Sequence, residues 1–161
     1  MVSRIPRPIG AEARLVDFLA AHNTLCLATV GPEGRPHAAA VFYAAGPDLT
    51  LYFLSDPATL HARHIGVGAA VAATIEANNQ DWTSIRGLQI HGLAAPCTEE
   101  EAAVAHRVYS ERFPFIAHAG TLAAALARAR YYRLVPIWIR LIDNTRGFGH
   151  KEEWGWQEGS A

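Results

Sequence analysis

Between positions 55 and 63 the chain reads Ser55-Asp56-Pro57-Ala58-Thr59-Leu60-His61-Ala62-Arg63. Ser55 and Thr59 offer hydroxyl donors, and His61 and Arg63 offer charge. A helix starting here adds unpaired backbone amides, so the segment carries the chemistry of a phosphate cradle. The same residues also describe an N-cap followed by a solvated helix face, and the segment alone does not choose between the two.

A second group is Arg86, Gln89 and His91 in TSIRGLQIHGLAAP. Strand alternation puts Gly87, Gln89 and His91 on one face and Arg86, Leu88, Ile90 and Gly92 on the other. All three polar side chains share a pocket only if the strand twists or bulges near Gly87. Gln89 then addresses the polar edge of a heterocycle, and the alternatives are a paired exterior arginine and a glutamine with internal partners. A third group is Asp143 to Trp154, where two glycines flank Phe148 and Arg146, His150 and Lys151 lie close together. It reads as a ligand-edge loop or as a lid that packs Phe148 and Trp154.

Other chemistries find less support. His61 and His64 stand three apart with Arg63 between them and no acidic ligand at metalloprotease spacing, so no metal is expected. Ser55 lacks the G-x-S-x-G elbow of a hydrolase. The formal charge of -1 provides no basic field for a nucleic acid backbone. MVSRIPRPIG has no apolar leader, and no run reaches membrane length. Cys26 and Cys97 form no local pair, so a reducing, cytoplasmic setting is expected.

The 161 residues, half of them hydrophobic, suit a single domain over 1–161. Leu15, Phe18 and Leu19 at helical spacing predict a helix over 11–22. LCLATV and HAAAVFYAAG, separated by GPEGRP, predict a hairpin, and LTLYFLS a third strand most economically added as a meander. A short helix follows Asp56-Pro57. AAVAATIEAN suits either helix or strand, and its context favours a strand; TSIRGLQIHGLAAP and RLVPIWIRLIDN complete six. Strands thus span about 24–95 and 131–143, with a helical insertion over about 99–129 and the loop over 144–156. Thr98 followed by three glutamates is a capping signature for a helix from about 99 to 112. Pro136 marks an edge or bulge position. A mainly β fold with short helices, built as a small antiparallel barrel, is the layer solution this pattern favours.

LATV, GPEGRPHAAAVFY, LTLYFLSDPATLHARHI and IRGLQIHG, in this order, resemble the FMN-binding split barrel of the pyridoxamine 5'-phosphate oxidase-like superfamily. IRGLQ, YSERFPF and DNTRGFGHKEEW are similar to a small group of uncharacterised bacterial members. The resemblance implies a six-stranded antiparallel split β-barrel of Greek-key type, a homodimer, and FMN in the dimer crevice. It assigns the cofactor phosphate to Ser55, Thr59, His61 and Arg63, and the ring to Arg86, Gly87, Gln89 and Tyr43, with Thr29 and the strand from His37 to Tyr43 lining it through backbone groups. The implied activity is FMN-dependent oxidation or reduction of a small molecule; the alternative is a non-catalytic flavin- or haem-binding protein. His61 stands where the oxidase pattern has lysine, and GFGHKEEW replaces the basic C-terminal signature that grips a vitamin phosphate. No dedicated catalytic acid or base is visible; His91 and His150 are the candidates for proton transfer by residue type.

Overall fold

A computed structural model describes residues 3–4, 11–78, 81–118 and 120–157. In chain order its elements are β1 (Ser3–Arg4), α1 (Ala11–Ala21), β2 (Thr24–Val30), β3 (Pro36–Phe42), β4 (Ala44–Ala45), β5 (Leu51–Ser55), α2 (Leu60–Ile65), β6 (Ala69–Glu76), β7 (Arg86–Pro96), α3 (Glu99–Arg112), α4 (Ala123–Arg128), β8 (Arg130–Asp143) and β9 (Lys151–Gln157). Short 3-10 turns fill Pro114–His118, Gly120–Leu122 and Asn144–Arg146.

The sheet follows from alternation. Leu25, Leu27 and Thr29 of β2 point inward, as do Val71, Ala73 and Ile75 of β6, Leu88 and Ile90 of β7, and Ile139 and Leu141 of β8. The order is β1-β9-β8-β7-β6-β2-β3, with β5 also on β8 and β4 on β5. Every pairing is antiparallel, and the result is a curled half-barrel. Leu15, Phe18 and Leu19 of α1 plug its concave side, each burial stabilising by roughly 1.5–3 kcal/mol. A second cluster outside the sheet joins Tyr109 and Phe113 of α3 to Ala44, Leu54 and Tyr131. Thr98 and Glu101 close a full capping box at the start of α3, as the glutamate run anticipates.

Three expectations change. The third strand does not extend a meander: β5 crosses to the far side and pairs with β8, and among the described residues no ladder joins β3 to β5. Six long strands are present, with short β1 and β4 and a further strand, β9, added. The segment expected as a loop over 144–156 becomes β9 from Lys151, because β8 is long enough to offer its second half as a pairing edge.

β8 pairs with β5 over Arg130 to Leu134 and with β9 over Trp138 to Ile142. Pro136 lies between the two stretches, where its missing N–H costs no ladder bond on that side. On the other side the register slips between His91 and Gly92. A Cβ on Gly92 would stand 2.5 Å from the Val135 carbonyl oxygen, so the bulge needs glycine.

Candidate functional site

Ser55 follows Leu51 and Phe53 on the inward face of β5, at the strand's end. The chain then turns through Asp56, whose Oδ1 accepts from the Ala58 amide at 2.8 Å while its carbonyl accepts from the Thr59 amide at 3.0 Å. Together with Arg128, at 3.2 Å, the Ala58 amide holds the Asp56 carboxyl below its ordinary range. Thr59 is the N-cap of α2, its hydroxyl accepting from the Ala62 amide. The helix buries His61, Ala62 and Ile65 and leaves Arg63 exposed. The cap and the polar cluster are therefore the same residues.

Ser55 Oγ lies 2.7 Å from His61 Nε2 and 3.0 Å from Thr59 Oγ1, and Thr59 Oγ1 lies 3.2 Å from His61 Nε2. The Thr59 hydroxyl donates to the Asp56 carbonyl at 2.8 Å. His37, inward on β3, stacks on His61 at 6.3 Å between centroids and meets His64 edge-on at 5.9 Å. His64 Nδ1 lies 3.0 Å from Thr29 Oγ1. Its ring fills the space beside Gly31, where a Cβ would stand 2.8 Å from Nε2. Burial first, then the neighbouring His37 and His64, push the His61 imidazole below its ordinary value, towards the neutral form. Arg130 is the direct cross-strand partner of Ser55 and shares its side of the sheet. Two hydroxyls and an imidazole converging opposite an arginine on the neighbouring strand fit a phosphoryl group.

The convex face of β6, β7 and β8 carries another set. Ala72, His91 and Trp138 align across the strands, as do Thr74, Gln89 and Arg140. Trp138 lies 4.7 Å from the His91 ring, and the Arg140 guanidinium sits 4.9 Å above the Trp138 ring. Arg140 donates to Gln89 Oε1 at 3.4 Å and to Glu153 at 2.8 Å. Small side chains form the floor of a shallow depression of about 520 Å³, a platform suited to a planar ring. Gly87 lies two residues before Gln89 on the same face, where a Cβ would meet the Ile75 carbonyl oxygen of β6 at 3.3 Å.

Arg86 is not on this platform. The bulge falls at Gly92 rather than at Gly87, so alternation holds and Arg86 turns inward, pairing with Asp143 at 3.5 Å and lying 5.5 Å over the Phe18 ring. Tyr43 is buried under α1, its hydroxyl donating to the Leu19 carbonyl at 2.8 Å, and burial pushes that hydroxyl's pKa up. His150 bonds Glu152 at 3.1 Å, and His91 lies on the convex face. Burial raises the Glu152 carboxyl, but bonds from Arg14 and His150 outweigh it and hold the carboxyl low. Phe148 and Trp82 meet edge-on at 6.0 Å, both exposed. Sequence reasoning did not bring Arg130, Trp138 and Arg140 beside these groups, because their only signal is strand register, and His37, expected to act through its backbone, also contacts His61 and His64 through its ring. Among the described residues no group of three or more His, Cys, Asp or Glu could hold a metal ion, and no helix is long and apolar enough to cross a membrane.

A curled antiparallel sheet with a polar cluster at the end of its fifth strand defines a class of small barrel-like proteins. The family model described as pyridoxamine 5'-phosphate oxidase matches residues 11–142, and the chain belongs to that family. A UPF0306 protein of Enterobacter sp. strain 638 is 36% identical over 123 residues, covering 76% of this chain and 81% of the relative. The structure of a protein of unknown function from Agrobacterium tumefaciens superposes with a TM-score of 0.67 at 27% identity, covering 92% of this chain and 64% of that one. A haem binding protein from Mycobacterium smegmatis shares the fold, with a TM-score of 0.70 at 20% identity over 92% of this chain and 59% of that one.

Proposed function

We propose that this protein is a single-domain cofactor-binding module of the Greek-key split-barrel type, and that FMN, held between two copies of the chain, is its ligand. The observation that carries this reading is the convergence of Ser55, Thr59 and His61 within 3.2 Å at the end of β5. Those three would hold the phosphate, with Arg130 and Arg63 supplying charge that the neutral His61 does not. Gln89, Arg140 and Trp138, with the Gly87 backbone, would face the ring. Ser55 and Gln89 lie on opposite faces of the sheet, so one flavin reaches both sets only when the cluster of one copy meets the platform of another. A homodimer is thereby part of the proposal. Its two free cysteines, Cys26 and Cys97, suit a reducing cytoplasm.

Haem is the competing ligand, supported by the family's fold likeness to a haem binding protein. The imidazoles of His37, His61 and His64 are the groups able to meet an iron. A second reading, oxidoreduction of a small molecule, is supported by the oxidase description of the family. When bound, FMN supplies the redox chemistry. Ser55, Thr59 and His61 would bind its phosphate and Trp138 would orient its ring, while His91, beside Trp138, would hold a proton.

The test is the visible spectrum of protein purified without added cofactor, with mass analysis of what acid releases, followed by titration with FMN and with haemin. Flavin bands and an FMN mass support the main reading, and a Soret band moves the assignment to haem. Protein that is folded and dimeric yet takes up neither overturns both. Reduction of bound FMN by a nicotinamide donor would establish the oxidoreductase reading over the binding module.

A further inference from the structure

A separate cavity of about 430 Å³ lies between α1, α3 and the turn from β4 to β5. Val16, Tyr43, Leu49 and Val108 give it an apolar lining, and Glu111 and Arg112 stand at its edge. Its size and its few polar groups are those of a small-molecule site.

Among the described residues Arg112 donates one hydrogen bond, from Nη2 to the His22 carbonyl at 2.7 Å, and belongs to no ion pair. That one bond fixes the guanidinium at the end of α1 and leaves its remaining N–H groups for an anion. The Tyr43 hydroxyl donates to the Leu19 carbonyl, so its proton is already used within the protein.

Leu49 adds an independent observation. It is the one non-glycine residue among those described with a positive φ, at 69°, and yet only 4% of it is exposed. The turn is tightly tied: the Leu49 amide donates to the Gly46 carbonyl at 3.0 Å, the Gly46 amide to the Thr50 carbonyl at 2.8 Å, and Asp48 accepts from the Thr50 amide and hydroxyl at 3.1 and 2.9 Å. Glycine or asparagine would take this conformation with less strain. Leu49 belongs both to the main apolar core and to the cavity wall, and packing on these two sides holds its branched side chain there against its backbone preference.

We propose that this cavity binds a small monocarboxylate with an aromatic or branched apolar body, the carboxylate on Arg112 and the body between Tyr43, Leu49 and Val108. Glu111 at the same edge repels a second negative charge and so selects against dicarboxylates. The proposal is independent of the cofactor reading.

The full chain, as purified, is titrated calorimetrically with 3-phenylpropanoate, with the neutral 3-phenylpropanamide and with 3-phenylpropylamine. Saturable binding of the acid is expected, at least about tenfold tighter than the amide, as one charge-assisted pair supplies. Arg112→Gln should bind acid and amide alike, Arg112→Lys should keep the preference, and Val108→Trp should exclude both. Leu49→Gly should weaken both while leaving the far-ultraviolet circular dichroism unchanged. Absence of saturable acid binding, equal affinity for acid and amide in the unmodified chain, preference for the amine, or a preference that survives in folded Arg112→Gln each overturns the proposal. Should Arg112→Gln fail to fold, the ligand series and Val108→Trp decide it.

Discussion

The two polar regions of this barrel are built in opposite ways. At the junction of β5 and α2, Ser55, Thr59 and His61 come from one seven-residue stretch, and a turn plus a helix cap bring them together. On the convex face, Gln89, His91, Trp138 and Arg140 come from strands about fifty residues apart in sequence and meet only through register. The first is set by local chemistry and its groups largely satisfy one another. The second depends on the whole sheet, and a slip of one residue in either strand would turn that strand's pair of side chains inward.

The largest effect should come from attacking that register at its bulge. Gly92→Val places carbon against the Val135 carbonyl and is expected to cost about 2–4 kcal/mol in urea unfolding. A near-neutral result would mean that the convex face tolerates slippage and is no more demanding than the junction.

Next in size is the effect on the proposed ligand. Thr59→Ala combined with Arg63→Ala should weaken FMN by roughly 10- to 100-fold in a titration of the apoprotein, while the protein remains folded. Unchanged affinity in a protein that does bind FMN would remove the phosphate from the junction and leave the convex face as the sole candidate. Thr59→Ala alone should lower stability by about 1 kcal/mol through loss of the cap, read by thermal or urea unfolding. A loss of affinity with no loss of stability would separate the cap from the ligand role.

The smallest effect is one of pH. His61 is held below its ordinary value of 6.5, so below that pH the unfolded chain takes up the proton before the folded one does. The stability linked to this histidine is present above the unfolded value and is lost as pH falls. Unfolding midpoints followed from pH 7 to pH 5 should therefore decline more steeply in the parent than in His61→Gln. Parallel curves would show that the imidazole cluster carries no charge penalty.

The same contrast explains what could be read from residue types. The α3 cap, the α1 stripe and the hydroxyl spacing at 55–63 are local patterns, and each is present in the structure. The turn of Arg86 away from Gln89 follows from plain alternation once Gly87 proves not to be the bulge. The crossing of β5 to β8, the extra strand β9 and the placement of Arg130 opposite Ser55 and Arg140 opposite Gln89 depend on partner choice between distant strands. No short window of sequence encodes that choice.

The change of partner along β8 also divides the strand in time. Its first half is protected by β5 and its second by β9, while on that side residues 135–137 belong to neither ladder. Two segments of one strand can therefore open separately, meeting at a seam where Pro136 has no amide to exchange. Deuterium should enter at Ile137, which stands in no ladder on either side, ahead of the flanking amides, and losing β9 should speed exchange beyond the proline while sparing the residues before it.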